Sequence, residues 1–170
     1  MERFDVRRGL IKEVDANGGL SVLAREFFDD VKETSESSFT ASHGVMTDIE
    51  GRYEKGAMIV DVTNVPPDFD DPDSVKSAME DRKRWTSFLD RATGYNSKQR
   101  GDKAKEWAKK ASKAKSSISA ANHFMEMSDS ISDDQKSQAN ALISEIEALL
   151  EANDNTKAAG RAEKLNKLFN

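Results

Sequence analysis

Cysteine is absent from all 170 positions of the sequence. Its absence excludes disulfides, thiolate metal ligands and cysteine nucleophiles. Long apolar runs are also missing, since no stretch approaches the ~18 residues that a membrane-spanning helix needs. The first residues, Met1–Asp5, lack the apolar core of a signal peptide. We therefore expect a cytoplasmic protein without membrane segments.

Motifs that hold phosphates, cofactors or metals are lacking as well. No Gly-x-Gly-x-x-Gly follows a predicted strand, and no loop ends in Gly-Lys-Ser/Thr. The acidic cluster Asp68–Asp73 offers oxygen ligands, but Pro72 stands where a calcium loop needs its third ligand. Helix capping accounts for Asp71 and Asp73 without a metal. We predict no cofactor and no bound metal.

Hydrophobic periodicity predicts the first elements of a folded domain. Phe4 and Val6 alternate with polar residues as in a strand, and apolar residues from Leu20 to Val31 recur at helical spacing. Residues 34–63 return to a period of two, with a hairpin loop at Glu54–Gly56. Strands so close in sequence favour an antiparallel meander.

A second amphipathic helix follows a pair of prolines that ends the sheet. Its apolar stripe, which we expect to face the core, consists of Val75, Ala78, Met79, Trp85, Phe88, Leu89 and Ala92. Asp71 before Pro72 is typical of an N-cap with proline at the first helical position, and Gly94 is typical of a left-handed helix end. The order β-α-β-β-β-α predicts an α+β fold in which about four antiparallel strands carry two helices on one face. We expect this domain to span residues 1–97.

The spacing of apolar residues over 98–170 predicts a helical extension that consists of a long basic helix and a helical hairpin. Pairs with the spacing of a capping box precede two of these helices, at Asn96–Gln99 and Ser132–Gln135. The long helix has a stripe made mostly of alanine, which buries little area. We expect the apolar seam of the hairpin to pack on the sheet domain or on another chain; its residues are Leu142, Ile146, Leu149 and Leu150.

Three short motifs stand at the start, the middle and the end of the predicted domain. They are an Arg-Gly turn at Val6–Gly9, a Ser-His-Gly segment at Ser42–Gly44, and a Phe-Leu pair, Thr-Gly-Tyr and Lys-x-Arg within Phe88–Arg100. Together they resemble a family of small archaeal proteins of unknown function, with histidine at 43 where that family has tyrosine. The resemblance covers about residues 4–105. It implies a compact α+β domain and brings no known activity, cofactor or substrate.

Charge is unevenly distributed along the chain. The net charge is −5 overall, but residues 10–81 carry a net −11 and residues 82–115 a net +9. A basic block between acidic ones can bind nucleic acid, or it can pair with the protein's own carboxylates. The candidate nucleic-acid-binding residues are Arg7, Arg8, Lys98, Arg100, Lys103, Lys105, Lys109, Lys110 and Lys113.

Three functions follow from these patterns. The first is a non-catalytic binding or interaction protein, with the helical extension as a surface for a protein partner or for self-association. The second is nucleic-acid binding through the basic helix 98–115. The third is a small enzyme around His43, since histidine titrates near neutrality and Ser42 and Asp48 are close in sequence. We assign no catalytic residue, because no nucleophile with an orienting partner can be identified.

Overall fold

The computed structural model describes residues 1–169, which form five strands and six helices. In chain order these are β1 (Glu2–Asp5), α1 (Leu10–Ala16), α2 (Leu20–Arg25), β2 (Asp29–Ser35), β3 (Ser38–His43), β4 (Met46–Glu54), β5 (Ala57–Asn64), α3 (Pro72–Thr93), α4 (Ser97–Met127), α5 (Asp133–Glu151) and α6 (Asn155–Lys167). The chain divides into two compact units: an N-terminal unit, Met1–Lys103, and a C-terminal unit that begins at Ala104. The predicted domain boundary after residue 97 stays a prediction.

One antiparallel sheet forms the scaffold of the N-terminal unit, with strand order β1-β5-β4-β3-β2. The strands β2 to β5 form a meander, and β1 pairs with the outer side of β5. Lys55 and Gly56 make the β4–β5 turn with positive φ values of 50° and 76°, which suit the twist of a tight hairpin. The predicted α+β class is confirmed, and the sheet has one strand more than expected.

The helix predicted from Leu20 to Val31 is wrong in its second half. α2 ends at Arg25, and Val31 lies in the edge strand β2, which pairs with β3. Apolar spacing over this stretch fits a helix, but pairing with β3 satisfies the backbone of residues 29–35 instead. The sequence patterns also did not indicate α1, which buries Leu10 and Val14.

A register shift in β4 changes which side chains face the core. Simple alternation places Met46 on the outer face, opposite Ile49. The β4–β5 register shifts between Met46 and Asp48, and Met46 and Ile49 are both buried, with 3% and 0% of their surface exposed. An irregularity of one residue exchanges the two faces of a strand, so alternation fails at this point.

Aromatic side chains connect α3 to the sheet. Phe88 is fully buried, and its ring meets Phe28 edge to face at 4.8 Å and Phe39 at 5.6 Å. Such pairs add to the stabilisation from burial alone. Met79, which the apolar stripe placed inward, is exposed, and Asp81 is buried two positions later.

The C-terminal unit packs α5 and α6 with the part of α4 that belongs to this unit. Ile143 and Ile146 of α5 are buried together with Leu165 of α6 and with Ala114 and Ala121 of α4. Of the predicted apolar seam, Ile146 is buried, while Leu142, Leu149 and Leu150 are partly buried against the same cluster. α4 and α6 therefore cover part of the seam, and its packing on the sheet domain or on another chain stays a prediction.

Both predicted capping boxes are present. The hydroxyl of Ser132 accepts from the backbone N–H of Gln135 at 3.2 Å, and the side-chain oxygen of Gln135 accepts from the backbone N–H of Ser132 at 3.2 Å. Asn96 and Gln99 make the same reciprocal pair at 2.9 and 3.0 Å. Among residues 1–169, no helix combines the length and the apolar character that crossing a membrane requires.

Candidate functional site

A groove of about 520 Å³ opens beside α3 in the N-terminal unit. We call it the α3 groove. Strands β4 and β5 supply an apolar floor, and α3 supplies one wall. The groove is lined by Met1, Glu2, Val45, Met46, Val60, Asp61, Val62, Asn64, Val65, Pro66, Pro67, Ala78, Arg82 and Trp85.

Two side chains of the α3 wall, Arg82 and Trp85, carry hydrogen-bond donors that have no acceptor within residues 1–169. Ala78, Arg82 and Trp85 are spaced by four and three residues, so they share one face of the helix. The guanidinium of Arg82 makes no ion pair or hydrogen bond with residues 1–169, and the indole N–H of Trp85 has no acceptor there. The Trp85 ring packs against Phe28 and Phe88, with centroids 5.8 and 5.7 Å apart.

The wall is fastened to the sheet through Asp81. This buried carboxylate accepts a hydrogen bond from the backbone N–H of Val45 at 3.0 Å. Gly44 has a φ of +52°, and a Cβ on it would overlap the carboxylate of Asp81. Val45 and Arg82 both line the groove, so the contact of Asp81 fixes the turn and the helix around it.

His43 lies between two carboxylates at the same turn. Its Nδ1 is 2.7 Å from Asp29 Oδ2, and its Nε2 is 3.4 Å from Asp81 Oδ1. Its partners therefore come from β2 and α3 rather than from Ser42 or Asp48. A general base needs a ring nitrogen that can reach a substrate proton, whereas both nitrogens of His43 face carboxylates. The geometry favours a structural role for this side chain in the turn.

The segments that open and close the N-terminal unit meet each other. The backbone N–H of Arg7 donates to the carbonyl of Thr93 at 2.8 Å. Gly94 ends α3 with a φ of +72°, and a Cβ on it would lie 2.9 Å from the Cβ of Arg7. The Arg-Gly and Thr-Gly-Tyr motifs therefore serve one contact between the start and the end of the fold.

Arg100 completes this closure from the first turns of α4. Only 7% of its surface is exposed. The guanidinium pairs with Asp90, donates to the carbonyl of Tyr95 at 2.6 Å, and lies 5.9 Å from the centre of the Phe4 ring. A buried guanidinium must have its donors satisfied, so these contacts assign Arg100 an internal task.

Tyr53 makes a further contact with the end of α3. Its hydroxyl donates to the carbonyl of Ala92 at 2.7 Å. Burial raises the pKa of Tyr53 above its ordinary value, and the negative charge of Asp15 adds to the rise. The neutral hydroxyl is therefore the form that the fold uses.

The other candidate nucleic-acid-binding residues fall into two groups. Five of them contact other side chains: Arg7 with Glu13 at 3.1 Å, Lys98 with Asp102 at 3.3 Å, Lys103 over the Tyr95 ring at 6.0 Å, Lys110 with Thr156 at 3.2 Å, and Lys113 with Glu163 at 2.8 Å. Within the described part of the chain, three are exposed without an acidic partner: Arg8, Lys105 and Lys109.

The acidic cluster Asp68–Asp73 organises its own loop. Asp71 caps α3 by accepting from the backbone of Asp73 at 3.0 Å, and Asp68 accepts from the backbone of Asp70 at 3.0 Å. The first contact satisfies a backbone N–H in the first turn of α3, and the second satisfies one in the loop before it. In residues 1–169, no group of three histidine, aspartate or glutamate side chains could hold a metal ion.

Sequence reasoning missed the α3 groove, although one signal was present. Asp81 is an acidic residue at an inward position of the α3 apolar stripe, between Ala78 and Trp85. A charge at such a position calls for a buried partner. The partner, the N–H of Val45, lies 36 positions away, so the sequence pattern did not reveal it.

The N-terminal unit is an α+β module with a five-stranded antiparallel sheet, helices that share its hydrophobic core, and an open groove beside α3. The chain belongs to the family described as domain of unknown function DUF5611, whose profile matches residues 1–106. The resemblance to a family of unknown function is thereby confirmed. Neither the curated proteins nor the solved structures include a match to this chain.

Proposed function

We propose that this is a non-catalytic binding protein whose N-terminal unit holds a ligand in the α3 groove. The observation that carries the proposal is the guanidinium of Arg82, which lies beside an apolar floor and has no partner in residues 1–169. Ligand sites are typically concave and mostly apolar, with a few converging polar groups and volumes of roughly 300–1,000 Å³. The α3 groove, at about 520 Å³, has this size and this composition.

The rest of the molecule supports this choice of surface. The ring nitrogens of His43 both face carboxylates, which argues for binding over catalysis. Part of the apolar seam of α5 is buried against α4 and α6 within the C-terminal unit, so the protein's own helices already occupy that part. A cytoplasmic location remains a prediction.

A dye experiment tests the α3 groove as the binding site. The chain has two tryptophans, so Trp107→Phe leaves Trp85 as the only indole reporter. Nile red, a neutral apolar dye, should quench Trp85 fluorescence when it binds. Ala78→Tyr places a bulky ring in the groove and should abolish the quenching. Ser77→Tyr is the matched control, because Ser77 is exposed on the same helix outside the groove.

Two results would count against the groove. Quenching that is unchanged in Ala78→Tyr would place the dye elsewhere, and equal loss in both tyrosine variants would indicate general damage to α3. Circular dichroism of each variant separates loss of binding from loss of fold.

Nucleic-acid binding is the second candidate function, and one observation favours it. Lys105 and Lys109 are exposed on α4 and have no acidic partner in residues 1–169. They are four residues apart, so they lie on one face of the helix. A pair of unneutralised lysines on a helix face suits contact with phosphates, which is independent of base sequence. A salt titration with mixed-sequence DNA tests this candidate.

A further inference from the structure

Arg82 differs from most arginines of the N-terminal unit. A carboxylate pairs with each of Arg3, Arg7, Arg52, Arg91 and Arg100. Among the arginines without a carboxylate partner in residues 1–169, which are Arg8, Arg25, Arg82 and Arg84, Arg82 lines the groove. Arg82 directly follows a segment of net charge −11, yet no carboxylate in residues 1–169 pairs with it. Its position at the wall of an apolar groove leaves a cation open to a ligand.

Charge is arranged asymmetrically around the α3 groove. Arg82 stands on the helix wall, whereas Glu2 and Asp61 stand on strands β1 and β5. Asp61 pairs with the amino group of Met1 at 3.1 Å. An anionic group is therefore attracted to the helix side and repelled from the strand side. This arrangement would orient a ligand that carries one negative charge.

Between these charges the floor of the groove is apolar. Its accessible apolar surface comes from Val45 and Val62, which are partly exposed, and from Val65, which is exposed, whereas Val60 is buried. An apolar body that covers this floor gains free energy in proportion to the area removed from water. The volume of about 520 Å³ lies within the range of small-molecule sites.

We propose that the α3 groove binds small amphipathic carboxylic acids. The apolar body covers the exposed parts of Val45 and Val62, and the carboxylate pairs with the guanidinium of Arg82. The planar fork of N–H groups in arginine matches the two oxygens of a carboxylate. The indole N–H of Trp85 adds a donor on the same wall. This inference rests on the proposed function, because it names the ligand class of the same groove.

Three ligands with the same ten-carbon chain test the inference: decanoate, decanol and decylammonium. Each is titrated into the Trp107→Phe protein, and binding is measured by Trp85 fluorescence. Decanoate should bind about tenfold more tightly than decanol, as a charge-assisted hydrogen bond allows. Decylammonium should bind more weakly than decanoate, because Arg82 repels the ammonium group and Asp61 already pairs with the amino group of Met1.

Arg82→Gln should remove the preference for decanoate and leave the affinity for decanol unchanged. Lys83→Gln is the matched control, because it removes one positive charge at the next position of α3, where Lys83 is exposed and does not line the groove. It should keep the preference. The Arg82 side chain makes no hydrogen bond or ion pair with residues 1–169, so the variant should retain the unfolding midpoint of the parent protein.

The outcomes separate this inference from the proposed function. Equal binding of decanoate and decanol would overturn the carboxylate class while leaving the groove as a binding site. A preference that persists in Arg82→Gln would overturn the role of Arg82. Absence of binding by all three ligands and by Nile red would overturn both proposals.

Discussion

The carboxylate of Asp81 occupies the space that a Cβ atom on Gly44 would need. Because glycine has no Cβ, α3 can approach the β3–β4 turn this closely. The same carboxylate accepts the N–H of Val45 at 3.0 Å. One acidic side chain therefore fixes both the close approach and the hydrogen bonding of this turn. The α3 groove depends on this contact, since Val45 and Arg82 line it.

Gly44→Ala should lower the free energy of unfolding by roughly 2–4 kcal/mol, because the methyl group overlaps Asp81 and the backbone φ is positive. Gly56→Ala is the matched control. Its φ of +76° is also positive, but nothing lies within 4 Å of the added Cβ, so it should lose only about 1–2 kcal/mol. Urea denaturation measures both. Equal losses would show that Asp81 moves aside without cost.

Arg100→Gln should lower the free energy of unfolding by about 2–3 kcal/mol, because it leaves the Tyr95 carbonyl and the Asp90 carboxylate without their buried partner. Lys98→Gln removes an exposed pair with Asp102 on the same helix and should change stability by less than about 0.5 kcal/mol. Thermal and urea unfolding report both. A small effect of Arg100→Gln would contradict the internal role assigned to this guanidinium.

Tyr53→Phe should cost about 1–2 kcal/mol at neutral pH, because the carbonyl of Ala92 loses its donor. The raised pKa of Tyr53 also predicts a pH effect. The fold favours the neutral hydroxyl, so this contribution is complete below the unfolded pKa of about 10 and is lost as the pH rises above it.

The predicted loss of stability at high pH is checked by measuring free energies of unfolding between pH 8 and 11. Each value is expressed relative to that of Tyr53→Phe at the same pH. The parent protein and Tyr95→Phe should both lose stability relative to that variant above about pH 10. A decline of the same steepness in all three proteins would show that Tyr53 is not its source.

A fragment of residues 1–105 should unfold cooperatively, because the closure by Arg100 lies within it. A fragment of residues 1–95 removes Arg100 and should be less stable by at least the loss seen in Arg100→Gln. Circular dichroism melting compares the two. A gradual transition of the longer fragment, with dye binding to exposed apolar surface, would show that the unit needs the rest of the chain.

If the protein binds nucleic acid through α4, replacing Lys105 and Lys109 with glutamine should weaken binding to all sequences alike. The slope of log affinity against log salt should become shallower by roughly 1.4–1.8, which corresponds to two phosphate contacts. Lys113→Gln is the control, because Lys113 already pairs with Glu163. This substitution should leave the slope unchanged. Failure of the parent protein to bind at about 50 mM salt, where such association is strong, would end this candidate.

Features decided by neighbouring residues could be predicted from the sequence. The cap by Asp71, the end of α3 at Gly94 and the capping box of Ser132 are all present where their patterns indicated. Each depends on contacts within about four positions. The strand β2 was missed because its partner β3 decides its state, and the inward position of Met46 was missed because the irregularity in β4 appears only when β5 is paired.

The candidate site was harder to predict, because it depends on contacts far apart in sequence. The charge pattern marked Lys113 as a candidate, but its partner Glu163 is 50 positions away. The apolar stripe assigned Trp85 to the core, and its ring does pack there while one side lines the groove. The groove lies where α3 leaves part of the sheet uncovered. Hydrophobic periodicity predicts single helices and strands, but it does not predict how much of a sheet a helix covers.

The edges of the sheet have a consequence for behaviour at high concentration. The edge strand β2 carries four charged residues in its first five positions and changes register twice against β3, while the opposite edge, β1, has only four residues. Long, flat, uncharged edges are templates on which strands of other chains assemble into fibrils. Neither edge offers such a template, so the folded sheet should not add strands from other copies of the chain at high protein concentration.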